Sequence, residues 1–174
     1  MNRQRERFET DVLPHLDAAY NLARWLVHDE QLAQDIVQDA FMRALRYFES
    51  FRGGPARPWL LSIVRNVCNT WFVQNKRDSD WLTEADESAE ATSFDAHGQV
   101  QTPETLLIQA HERVQVNAAL AALPLPYREV LVLREIEEMS YEEIAQVVQV
   151  PLGTVMSRLS RACAHLRRSL DGMR

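Results

Sequence analysis

At 174 residues the chain has room for one medium domain or two small ones, and 46% hydrophobic with 25% charged residues describe a globular protein rather than a disordered one. No apolar run approaches the ~20 residues that span a bilayer, and the opening Met1-Asn2-Arg3-Gln4-Arg5-Glu6-Arg7 lacks the apolar stretch of a signal peptide, so no membrane insertion and a cytoplasmic location are expected. The net charge of −6 would disfavour a nucleic-acid partner if it were evenly spread, but residues 78–104 alone carry −8 while residues 151–174 carry +4.

In chain order, the first helical period runs through Leu16, Ala19, Tyr20, Ala23, Leu26 and Val27. A second and clearer one runs through Ala33, Ile36, Val37, Ala40, Phe41, Ala44, Leu45 and Phe48, steps of three and one that mark a single helix face. The breaker Arg52-Gly53-Gly54-Pro55 separates it from a third, Trp59, Leu60, Ile63, Val64, Val67, Cys68, Trp71 and Phe72. Residues 8–76 therefore read as a helical domain with one shared core, in which Trp59 and Trp71 are core rather than stacking platforms.

From Asp78 to Thr102 the pattern dissolves into Asp, Glu, Ser, Thr, Ala and Gly without one Lys or Arg, the composition of a flexible acidic linker. Helical period returns at Leu106, Leu107, Ala110, Val114, Asn117, Ala118 and Ala121, stops at Pro124-Leu125-Pro126 and resumes through Val130, Leu131 and Leu133. The expected fold is all-α: two small helical domains, residues 1–77 and 104–174, each with its own modest core, joined by the linker 78–103.

The most informative segment is Ser140 to Val155. Ser140 followed three residues later by Glu143 is a capping box that starts a short helix, which turns Ile144, Ala145 and Val148 inward and which Pro151 bars from continuing. A second helix opens near Gly153-Thr154 with Val155, Leu159, Ala162, Leu166 and Leu170 as its buried stripe. That spacing is a helix-turn-helix. At ~100° per residue the opposite face holds Ser157, Ser160, Arg161, Ala164 and Arg168, flanked by Arg158 and Arg167. Small polar residues between arginines suit a helix lying in a major groove, since arginine pairs with phosphate or bidentately with guanine, and Ser and Thr reach backbone or base edges. The competing reading is a solvated amphipathic helix that merely closes a bundle. Capping box, turn proline, core spacing and local positive charge together weigh against it.

Cys68 and Cys163 lie far apart and outside any CxxC or Cys/His cluster, so both are expected to be small buried hydrophobes. The histidines His15, His28, His97, His111 and His165 are scattered, and there is no HExxH, nucleophile elbow or phosphate-cradling glycine loop. No metal, no cofactor and no catalytic residue are expected, and the chain reads as a non-enzyme.

Several motifs coincide with those of one family. Gly153-Thr154-Val155-Met156-Ser157-Arg158-Leu159-Ser160-Arg161-Ala162 resembles the GTVxSRLxRA signature in the fourth conserved region of extracytoplasmic-function (ECF, group IV) RNA polymerase sigma factors of the sigma-70 family. Leu123-Pro124-Leu125-Pro126-Tyr127-Arg128-Glu129-Val130 resembles that region's lead-in, LPxxxRxV. Ala33-Gln34-Asp35-Ile36-Val37-Gln38-Asp39-Ala40-Phe41 and Arg57-Pro58-Trp59-Leu60-Leu61-Ser62-Ile63-Val64-Arg65-Asn66 resemble the AED[IL]VQ[ED]xF and AWLxxIARN segments of the second region. The likeness spans about residues 8–76 and 104–170, in order and with an acidic linker between them.

That resemblance implies three jobs. Asp35, Gln38, Asp39 and Phe41 fall where the family grips core RNA polymerase, although Phe41 also belongs to the apolar stripe. The loop Ser50 to Arg57 falls where the family captures a base flipped from the proximal promoter element, and Arg52, Arg57, Arg65, Asn66, Asn69, Lys76 and Arg77, with Trp71 nearby, offer the basic and stacking chemistry that holding single strands requires. Thr154, Ser157, Arg158 and Arg161, with Arg168 on the same face, fall where the distal element is read.

Three positions depart from the pattern: Met156 and Cys163 stand where the family often has a basic residue, and Gln149 stands in the turn where glycine is usual. The acidic linker reads either as a nucleic-acid mimic inside a basic polymerase channel or as a plain solubilising tether. The implied partners are core polymerase, promoter DNA and an anti-sigma protein wedged between the domains. The alternative from another class is a helix-turn-helix repressor or activator acting without the polymerase core, with residues 8–76 as a sensing bundle. It needs a ligand pocket or phosphoacceptor site, and no such constellation stands in the sequence.

Overall fold

The structure, a computed structural model, describes residues 2–75 and 103–172, with side chains of the second segment from residue 111 onward. Residues 78–102 of the expected linker, His97 among them, and Lys76 and Arg77 lie outside the described residues, while Pro103, expected to end the linker, opens a helix. The rest is helical: α1 (Asn2–Asp11), α2 (Leu16–Val27), α3 (Glu30–Tyr47), α4 (Ala56–Gln74), α5 (Pro103–Ala122), α6 (Leu125–Glu135), α7 (Tyr141–Val148) and α8 (Leu152–Gly172), with no strand among the described residues.

In the first half α2, α3 and α4 pack mutually around Leu22, Leu26, Ile36, Ala40, Leu60 and Val64, all buried. Helix α2 stops at His28, whose left-handed backbone (φ 54°) turns the chain while its N–H caps the Arg24 carbonyl. Asp29 then accepts from the Leu32 N–H at 2.9 Å and starts α3, satisfying a donor that a helix N-terminus otherwise leaves bare. The break before α4 is made by Gly53 and Gly54 at φ near +90°, a conformation costly for any residue with a Cβ, followed by Pro55.

Two assignments of the sequence stripes change. Leu45 is half exposed, because it sits ~120° around the wheel from Ala33 and falls beyond the buried arc. Helix α1, unmarked by the apolar pattern, buries only Phe8 against the core. That ring meets Phe48 edge-on at 5.4 Å and Phe41 at 6.3 Å, and so draws the half-buried Phe41 onto the core.

In the second half Pro126 lies in the first turn of α6, where its missing N–H leaves no bond unmade, so Pro124-Leu125-Pro126 starts a helix as well as ending one. Val147 joins Ile144 and Val148 in the core, whereas Ala145 is only partly buried. Cys68 is fully buried, and burial, with Glu129 adding to it, pushes its thiol up to about 12. Cys163 departs from the expectation: it is half-buried, with its thiol raised by that burial.

The largest departure concerns the cores. In place of two separate ones, the buried residues of both halves form one contiguous apolar cluster, with α4 packed on α7 and α2 on α6 as closely as helices within a half pack on each other. Helix α6 is consequently covered on every side, with Leu125, Tyr127, Arg128, Glu129, Val130, Leu131, Val132 and Leu133 all buried.

Candidate nucleic-acid interface

The helix-turn-helix is built by local chemistry. The Ser140 Oγ accepts from the Glu143 N–H at 3.1 Å, and the Glu143 Oε1 accepts from the Ser140 N–H at 3.2 Å, closing the capping box at the start of α7. Helix α7 ends at Gln149 in the left-handed conformation (φ 55°, ψ 49°), the geometry for which glycine is usual, and Gln149 donates its N–H to the Ala145 carbonyl. The Pro151 carbonyl then accepts from the Thr154 and Val155 N–H groups and launches α8. The approach to α7 is fixed by Arg134, which donates to the Met139 carbonyl at 2.8 Å and stacks its guanidinium 4.7 Å from the Tyr141 ring.

Helix α8 buries Val155, Leu159 and Ala162 and presents the opposite face outward. Ser157 and Arg168 are exposed, Thr154 and Arg161 half-buried, and Met156 exposed beside them. Arg158 differs. Its side chain is 22% exposed, and it reaches a Glu129 carboxylate oxygen at 3.9 Å.

The proximal candidates separate into groups that the sequence did not distinguish. Arg52 is exposed on the glycine turn, beside Phe51, whose ring lies 4.7 Å from Trp59 and stacks on Phe48 at 5.9 Å. Asn66 is exposed on α4, and Asn69 is half-buried with its Oδ1 enclosed and without a hydrogen-bond partner among the described residues. Arg57 and Arg65 turn instead toward the second half of the molecule. Arg57 donates to the Glu137 carbonyl at 3.0 Å and pairs with Glu143 at 3.6 Å. Arg65 grips Glu129 bidentately, Nε at 2.8 Å and Nη2 at 3.2 Å, with 13% and 3% of the two side chains exposed.

Glu129 is thus the centre of an arginine cluster that sequence reading missed. Burial holds its carboxyl above the ordinary glutamate range, with Arg65, Arg158 and Arg128 offsetting that rise only in part. Arg128 and Glu129 are the two buried charged residues among those described, and Arg128 contacts the His28 ring across the α2–α6 contact. The available signal was a charged pair set inside the apolar run from Leu125 to Leu133.

Asp35 and Asp39 lie together along a groove of about 390 Å³ between α3 and α4, lined also by Leu32, Val67, Trp71 and Gln74. Asp39 is held by Arg43 at 3.1 Å and Asp35 accepts from Gln31 at 3.4 Å. Gln38 is exposed one turn on from Asp35 and does not line the groove, and Phe41 turns away to Phe8. No group of His, Cys, Asp and Glu able to hold a metal ion occurs among the described residues, nor does a helix long and apolar enough to cross a membrane.

Comparison with known proteins gives the following. Residues 12–78 match the family Sigma-70 region 2, and residues 113–166 match Sigma-70, region 4. The chain is 36% identical over 168 residues to the RNA polymerase sigma-H factor of Pseudomonas aeruginosa, covering 94% of this chain and 86% of that one. It is 37% identical over 130 residues to the ECF RNA polymerase sigma-E factor of Escherichia coli K12, covering 74% and 68%. Among solved structures it is similar to the sigma factor RpoE in complex with the anti-sigma factor NepR from Bartonella quintana (TM-score 0.66, 26% identity, 96% of this chain and 98% of that one). It is also similar to CnrH in complex with the cytosolic domain of CnrY (TM-score 0.68, 26% identity, 97% and 90%).

Proposed function

The chain belongs to the ECF group of the sigma-70 family of RNA polymerase sigma factors, and from that premise we propose that it binds core RNA polymerase and directs it to promoters, where it recognises two DNA elements and assists melting. The observation that carries the reading is the capped helix-turn-helix of α7 and α8, which leaves Ser157, Arg161 and Arg168 on the outer face of α8, in a chain whose first domain matches region 2.

The division of labour follows from the surfaces. Helix α8 enters the major groove of the distal element, where Thr154, Ser157, Arg161 and Arg168 contact phosphates and base edges. The proximal element falls to the glycine turn with Arg52 and to Arg57, Arg65, Asn66 and Asn69 of α4, since strand separation needs cationic and stacking groups along a single strand. Asp35 and Asp39 in the α3–α4 groove, with Gln38 beside it, dock on the polymerase. The protein acts in the cytoplasm, supplies no chemistry of its own, and is held in reserve by an anti-sigma protein.

Run-off transcription tests this. Purified core polymerase with a genomic fragment library, with and without the chain, should yield chain-dependent starts that share two upstream elements. No new starts, together with specific duplex binding by the chain alone, would instead identify a helix-turn-helix repressor or activator working without the polymerase.

A further inference from the structure

Helix α8 carries an apolar edge that its core does not use. Val155, Leu159 and Ala162 are buried, but Leu152 and Met156, one turn apart, are 40% and 52% exposed, the two exposed large apolar side chains among the described residues of α8. A single exposed methionine would need no explanation, since folded surfaces carry many apolar atoms. The place of this pair is what matters. Both stand in the first two turns of the second helix of the helix-turn-helix, the end whose side chains reach base edges when such a helix enters a major groove.

At ~100° per residue Met156 and Arg161 stand ~140° apart, and the arc between them holds Gly153, Ala164, Ser157 and Arg168. The middle of that arc is small, and a Cβ added at Gly153 would meet nothing within 4 Å. The helix can therefore approach bases closely there, with Arg161 and Arg168 toward one edge and Met156 on the other. Arg158 lies outside the arc, drawn to Glu129. The two edges differ in chemistry. Guanidinium groups pair with guanine or phosphate, whereas a thioether has no proton to donate and reads a base by apolar contact. Among the four bases only thymine places a methyl group in the major groove, and methionine, unbranched and polarisable, adapts its shape to such a group.

We propose that Met156 is a specificity-determining residue that packs on a thymine C5-methyl group in the distal promoter element, with Leu152 extending the same apolar edge. The role deepens the function proposed above and rests on its placing of α8 in the major groove. Where the family often has a basic residue, this chain gains a base preference rather than only losing a phosphate contact.

The test begins with the full chain and core polymerase selecting a distal element from a duplex library randomised over that element. Each thymine of the selected element is then replaced by uracil, which removes the methyl group and keeps every hydrogen-bonding atom. Binding of the fluorescent duplexes is measured for wild type and M156Q, each with core. Glutamine is as long as methionine and as good a helix former, and position 156 is exposed, so α8 keeps its fold. At least at one thymine, uracil should weaken wild-type binding about 4-fold, the factor that burying one methyl group is worth, and should make no difference to M156Q. A selected element with no such thymine, or a uracil effect of the same size in M156Q, overturns the proposal and leaves the sigma-factor function standing. If the chain selects no element with core but does so alone, the sigma-factor function fails, and the same exchange on that duplex judges Met156. Selection under neither condition overturns both.

Discussion

Helices α4 and α8 are both amphipathic, and both carry arginines that the sequence points toward DNA. Their arginines nevertheless have different fates. On α8, Arg161 is half-buried and Arg168 exposed, with Arg158 alone drawn to Glu129. On α4, Arg57 and Arg65 are taken up by the neighbouring domain, and Arg65 is almost enclosed. A helical period states which face of a helix is apolar, but it is silent on whether the polar face meets water or another part of the same chain. Here the second domain meets Arg65, at the edge of the buried face of α4, with a carboxylate enclosed in α6.

The contrast is sharpened most by substituting Arg65 with Ala. Glu129 would then be left buried with only the more distant Arg158 and Arg128 to balance it, and removing one partner of a buried pair costs about 3–5 kcal/mol. Urea unfolding of the full chain should show a loss of that order. A loss below about 1 kcal/mol would place Arg65 with surface pairs such as Asp39–Arg43, and the distinction between the two helices would disappear.

The matching substitution on the other helix, Arg161→Ala, should do the reverse. Its folding stability should fall by less than about 1 kcal/mol, because no enclosed charge is left behind. Discrimination of the cognate distal element should weaken by about 1–3 kcal/mol if Arg161 reads a base, seen as a ~5-fold or greater loss of preference in competition between cognate and altered promoters. Equal losses on every sequence would make Arg161 a phosphate contact instead.

Much of this was legible from the residues. The stripe Ala33, Ile36, Val37, Ala40 and Ala44 and the capping box, turn proline and Val155–Leu159–Ala162 stripe of the helix-turn-helix were legible because each rests on local rules: period, capping pair and turn proline. What escaped was non-local. Helix α1 contributes one buried residue, Phe8, too little for a period to register. The buried pair Arg128 and Glu129 is enclosed by non-local contacts, the packing of α6 on α2 and α8 and the reach of Arg65 from α4. Phe41 and Leu45 show the limit on α3, where edge positions of one stripe were settled by Phe8 for the first and by solvent for the second. The groove candidates divided in the same way, Asp35 and Asp39 entering it and Gln38 standing outside.

The smallest effect concerns the point where the two helices' environments join. Ser140→Ala removes the side-chain acceptor of the Glu143 N–H, and loss of such a cap costs about 0.5–2 kcal/mol, whereas Ser140→Gly should cost only a few tenths. For a chain of this size about 1 kcal/mol lowers the thermal midpoint by about 2–4 °C. Glu143 serves both structures at once, since Oε1 closes the capping box while Oε2 meets Arg57 of the other domain. The cap and the domain contact should therefore be coupled, and a double-mutant cycle measures by how much. If Ser140→Ala costs as much in an E143Q background as in wild type, Ser140 acts on α7 alone. A smaller loss in that background means that Ser140 also orients Glu143 toward Arg57, which makes the start of the helix-turn-helix part of the contact that covers α4.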